Sequence, residues 1–216
     1  CLSLHAGFYA PAFDSMKVSP LDRLLFLITA LVASYQIAIG IEGLGSLPLF
    51  AYTVGFGVLL VSALLILILG FEVLQSPLVI LLATLIPLSL ACGLVWEYLP
   101  GWGEAFAIFA LLGMLAIGWT RFTHTPRPLA TLTLAVVHGV AGITIFGLPL
   151  GMVITQRAGQ AFLLVSAGGG LIGVMGLLLS FLRMGVPLLD QEKLLRAFPP
   201  LFLVITIAYV LGFNGR

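Results

Sequence analysis

The sequence predicts an all-α protein: a polytopic integral membrane bundle of seven transmembrane helices, N-terminus cytoplasmic and C-terminus outside. Three observations predict it. The chain is 61% hydrophobic and only 8% charged, against roughly 25% charged residues in an ordinary soluble domain, and its mean hydropathy is +1.23. Apolar blocks of about 20 residues recur along almost the whole sequence, the length that crosses ~30 Å of hydrocarbon at ~1.5 Å per residue. The blocks are continuous rather than alternating, and lipid satisfies no backbone hydrogen bond, so helices are favoured over a barrel.

Residues 1 to 20 mix apolar and polar side chains without a sustained run and read as an N-terminal tail or interfacial segment. Cys1 is a candidate for lipidation after signal cleavage, although Met16, just before Lys17, is a plausible start and the charge bias below counts against lipidation. Residues 21 to 216 form a single membrane domain. Its first span runs from Leu24 to Gly43 and is closed by the helix-stopping run from Gly43 to Pro48. The second covers Leu47 to Gly70 and the third Pro77 to Tyr98, where Pro87 removes a backbone donor and predicts a kink. Trp96, Tyr98 and Trp102 then suit the aromatic belt of the interface. The fourth span is Glu104 to Trp119, the fifth Pro128 to Thr155, the sixth Ala161 to Leu182 and the seventh Pro199 to Phe213. Between the last two, the stretch from Asp190 to Arg196 has helical spacing and reads as a short helix lying along the cytoplasmic surface.

Orientation follows from basic residues, which stay preferentially in the cytoplasm. An inside N-terminus places Lys17, Arg23, Arg121, Arg127, Arg183, Lys193 and Arg196 there and leaves Arg157 and Arg216 outside. A bacterial cytoplasmic (inner) membrane is the expected location. A parallel repeat of three helices, a linker helix and three helices, over 21–100 and 128–216, is suggested by two short matches. These are the Leu-Pro-Leu runs at 47–49 and 148–150, and Val-Ser-Ala at 61–63 and 165–167.

His138 lies deep in the fifth span, and an ionisable group in hydrocarbon points to a function or a specific partner. Tyr35 and Gln36 lie at comparable depth in the first span, Thr206 in the seventh, and Ser89 follows Pro87 in the third. If these helices face one another, they form a midplane polar site of the kind transporters use, with Glu42 as a further candidate at the span end. The bland alternative is interhelical hydrogen bonding, worth only about 0.6 to 2 kcal/mol per bond. Glu72, Glu97 and Glu104 read as interfacial residues. Gly168 to Gly173 matches Gly-x-Gly-x-x-Gly, but it neither follows a strand nor opens a βαβ unit. Close helix packing, inside the bundle or against a second copy or a complex partner, explains Gly168 to Gly176 better.

A formal net charge of +1 gives no field for nucleic acid. Cys1 and Cys92 make neither a disulfide framework nor a thiolate metal site. No cofactor is expected. Bis-histidine haem is disfavoured because His5 lies in the tail and His124 in a loop, and pairing His138 with Met175 has little to recommend it. Lys17 and Lys193 both fall in cytoplasmic segments, so a retinal Schiff base has no candidate. Protease, hydrolase, redox and nucleotidase motifs are absent. The sequence therefore points to a small-solute or ion permease using His138, Gln36, Tyr35, Thr206 and Glu42. The alternative is a non-catalytic subunit or assembly factor of a larger membrane complex. A lipid enzyme drawing on Glu42, Glu97 and His124 ranks third.

Overall fold

A computed structural model describes residues 17–123, 125–183 and 190–216, so the lipidation candidate Cys1, Met16, His5 and His124 lie outside the described residues. Seven α-helices account for nearly all of it: α1 (Pro20–Ile39), α2 (Ser46–Leu69), α3 (Pro77–Tyr98), α4 (Gly103–Phe122), α5 (Arg127–Ile154), α6 (Leu163–Arg183) and α7 (Gln191–Asn214). Single 3-10 turns at Phe71–Gln75 and Gln160–Phe162 lead into α3 and α6. No strand occurs among the described residues. Helices α1 to α5 and α7 are long and apolar enough to cross a membrane, and the described apolar stretch of the sixth, Gln160–Gly176, is shorter. The protein is a helical membrane bundle.

Local chemistry sets the helix boundaries. Ser19 caps α1 by accepting from the Asp22 amide at 3.1 Å, while Asp22 accepts from the Ser19 amide at 2.9 Å. This reciprocal box satisfies two donors that a helix start leaves free. Pro20, Pro77 and Pro128 stand in the first turns of α1, α3 and α5, where a missing amide hydrogen costs nothing. Gly40 and Gly70 end α1 and α2 at φ of 65° and 82°, a backbone region that side chains with a Cβ resist.

The seventh element is the main difference from the sequence reading. The stretch from Gln191 to Arg196 is not a separate surface helix; it forms the first turns of α7, which runs unbroken through Pro199 and Pro200. The ion pairs Lys193–Asp190 and Arg196–Glu192 decorate those turns. A span beginning at Pro199 suits the preference of proline for a first turn, but helices also tolerate prolines inside where other groups or water serve the freed carbonyls.

The well-packed helix pairs trace a closed ring: α1 with α2, α2 with α3, α3 with α5, α5 with α6, α6 with α7, and α7 back with α1. Helix α4 stands outside this ring and leans on α3 and α5. Side chains fill the interior, among them Phe26, Tyr52, Phe56, Leu90, Phe162, Tyr209 and Phe213, all essentially inaccessible. Hydrophobic burial cannot hold such helices together against equally apolar lipid; close packing and polar contacts must. The glycines provide that closeness. A Cβ at Gly93 would fall 2.5 Å from the Tyr52 ring, and one at Gly212 would fall 2.8 Å from the Val165 amide nitrogen.

Candidate functional site

The structure separates the residues that the sequence grouped at the midplane. Tyr35 and Gln36 are neighbours on α1, and successive helical positions do not share a face. Tyr35 is 57% exposed and lies in a shallow apolar groove with Ile28, Leu31, Val32, Ile207, Val210 and Leu211, between α1 and α7. Gln36 points inward and is buried. Its amide nitrogen donates to the Gly40 carbonyl at 2.6 Å, and its amide oxygen accepts from Asn214 Nδ2 at 2.6 Å. Thr206 is fully buried, but its hydroxyl donates to the Phe202 carbonyl one turn back at 2.8 Å. Ser89 likewise donates to the Leu85 and Ile86 carbonyls at 2.7 and 3.0 Å.

His138 stands apart from these groups. It sits on α5, which is not among the helices well packed against α1, and the nearest charge influencing it is Arg121 of α4. Its buried Nδ1 makes no hydrogen bond of ordinary geometry, although the Leu134 carbonyl one turn back bears on the ring, and the Nε of Arg121 is buried without a partner. The hydroxyls of Ser166 and Tyr209 are also buried and unpartnered.

What the sequence reading missed is a polar cluster at the end of the bundle where α1, α3 and α7 finish and α2 begins. Arg216 pairs with Glu97, at side-chain exposures of 15% and 17%, and donates to the Glu42 carbonyl at 2.6 Å. Glu97 also accepts from the Tyr52 hydroxyl at 3.1 Å. Asn214, the last residue of α7, donates to both Gln36 and the Val210 carbonyl. Glu42 thus takes part through its backbone rather than its carboxylate. Beside Gln36 and Tyr52 is a slot of about 10 Å³, room for a single water at most.

Beneath the polar layer lies an aromatic one. The Phe213 ring is 4.5 Å from Tyr52, 6.1 Å from Phe56, and 6.2 Å from both Phe162 and Tyr209, centroid to centroid. These are ordinary tilted and edge-on geometries, worth about 0.5–1.5 kcal/mol each beyond area. One signal for the cluster was present in the sequence: Glu42, Glu97 and Arg216 all fall at ends assigned to the same membrane face.

The other expectations meet the structure as follows. Among the described residues no group of three or more His, Cys, Asp and Glu side chains could hold a metal ion. Gly168 and Gly169 are used within the chain, where added Cβ atoms would fall 2.8 Å from Tyr209 and 2.7 Å from Ile145; one at Gly173 would meet nothing within 4 Å. Compared with protein-family models, with curated proteins and with solved structures, the chain matches none.

Proposed function

We propose that the protein is a small-solute or ion permease built from two three-helix halves, α1–α3 and α5–α7, with α4 as the linker between them. The supporting observation is the pairing order. Within each half, consecutive helices pack side by side; α3 meets α5, and α7 meets α1, which is the pattern two like-oriented halves give around an axis normal to the membrane. The short sequence matches contribute little, since Leu-Pro-Leu opens α2 in one half and lies inside α5 in the other.

In this reading the solute route runs along the ring axis past Thr206, which is sealed here by side chains. Gln36 and the Glu42 backbone belong to the seal at one end, Tyr35 faces lipid, and His138 acts from the α4 side of α5. The N-terminus is cytoplasmic, as the basic residues favour. The test is reconstitution of the full chain into liposomes with a panel of neutral and charged small solutes. Flux above protein-free liposomes, lowered by Thr206→Val, is expected; no flux for any solute overturns the proposal.

One observation favours a second reading, a subunit of a larger membrane complex. Helix α4 buries only 11% of its apolar stretch, and Arg121 at its end has a buried, unpartnered Nε. A partner copurifying at fixed stoichiometry in mild detergent, crosslinked through α4, would favour this second reading over transport.

A further inference from the structure

The two halves are joined by different chemistry at the two ends of the ring. At one end Phe26 of α1 packs on Phe198 and Phe202 of α7, at centroid distances of 6.1 and 6.4 Å. At the other, the last residues of the second half reach across to the first. Arg216 pairs with Glu97 and donates to the Glu42 carbonyl, and Asn214 donates to Gln36. Phe213 is inserted just below, between Tyr52 and Phe56 of the first half and Phe162 of the second.

We propose that residues Phe213 to Arg216 are a gate: Phe213 is the plug, and the Arg216–Glu97 and Asn214–Gln36 bonds are the latch that keeps it shut. This deepens the permease reading and rests on it. The chemistry suits a contact that must open. An ion pair in the hydrocarbon interior is nearly unbreakable without a replacement partner, whereas one at the membrane boundary regains water when its members separate. Glu97 and Arg216 hold that intermediate position, partly exposed yet joined. The Tyr52 hydroxyl steadies Glu97 within the first half, so the carboxylate keeps a donor when the guanidinium leaves.

The gate is tied to two neighbours in its own half. Gly212 presses so closely on the Val165 backbone that the end of α7, Leu211 included, can shift against the first half only together with α6. Beyond that point, the turn between α5 and α6 bears on the gate. A Cβ at Gly159 would fall 2.9 Å from the Gly215 carbonyl oxygen, so displacing that turn displaces the latch. A plug held by a boundary ion pair and touched by a neighbouring turn is a two-state element of the kind through which ligands shift populations.

The experiment uses the full chain in lipid nanodiscs in a Cys1→Ser, Cys92→Ser background. Spin labels are placed at the exposed positions Leu47 of α2 and Leu211 of α7, and their separation is read by pulsed dipolar spectroscopy. Glu97→Gln and Arg216→Gln are expected to raise a longer-distance population about tenfold. The exchange Glu97→Arg with Arg216→Glu is expected to restore the wild-type distribution. Distributions that superimpose on wild type for folded Gln variants overturn the gate. If Glu97→Gln does not fold, Arg216→Gln and Gln36→Leu are read in its place, with unchanged distances again fatal. Label separation without solute flux keeps the gate and removes the permease; flux with unmoved labels does the reverse.

Discussion

Helices α3 and α4 are joined by a turn of four residues, Leu99–Trp102, and both are apolar enough to span a membrane, yet 61% of one is buried and 11% of the other. The difference lies in neighbours rather than composition. Helix α3 is a ring member packed by α2, α4 and α5, and its Gly93 and Ser89 make room for Tyr52 and Gly55 of α2. Helix α4 touches α3 and α5 along one stripe, where Gly113 meets Val137, and turns Ile108, Leu111, Leu112, Leu115 and Trp119 outward. Hydropathy identifies a membrane span but does not count the faces that other helices occupy. Because lipid is as apolar as leucine, a side chain matters to stability here only through what it touches.

Substitutions ranked by this contrast can break it. Replacing Glu97 by Gln strands the Arg216 guanidinium near the end of α3 and is expected to cost about 3 kcal/mol, read as unfolding free energy in a detergent titration. Gly93→Val forces a branched side chain into the Tyr52 ring and should cost about 2 kcal/mol in the same assay. Tyr209→Phe removes a buried hydroxyl that has no partner and should stabilise by about 1 kcal/mol, raising the thermal midpoint; a loss would reveal a bound water or a moving donor. On α4, Leu111→Ala and Leu115→Ala should each change stability by less than about 0.5 kcal/mol in the purified monomer. If either α4 variant instead weakens an assembly in native membranes, the uncovered face belongs to a partner and the contrast between α3 and α4 is a property of the isolated chain.

Much of the architecture could be read in the sequence, because apolar length is a one-dimensional property. The second and third spans were placed to within a residue or so of α2 and α3, and the fifth to within a residue of α5. The seventh was cut short at Pro199 because proline pairs usually begin a helix rather than sit within one. The site was far less legible. Depth along a helix can be counted from sequence, but azimuth depends on which neighbour a helix meets. Gln36 and Tyr35 share a depth and face different surroundings, and His138 shares that depth on a helix turned toward α4. The Gln36–Asn214 and Glu97–Arg216 bonds join positions far apart in the chain, a proximity that no local pattern encodes. Arg216 and Glu97 fall at span ends on the same predicted face, but no local pattern pairs them.

The 28 residues of α5 make it the longest rod in the bundle. At ~1.5 Å per residue it measures about 42 Å, while the hydrocarbon it crosses is ~30 Å thick. Helices α1 and α4, with 20 residues each, fit that thickness without surplus. A bilayer surrounding both kinds of helix cannot match both, so α5 must lean, protrude or draw the lipid up around itself. That mismatch is largest at α5 and smaller at α2 and α7, with 24 residues each. Membrane thickness, and hence the lipids in which the protein resides, therefore becomes a mechanical input to its shape.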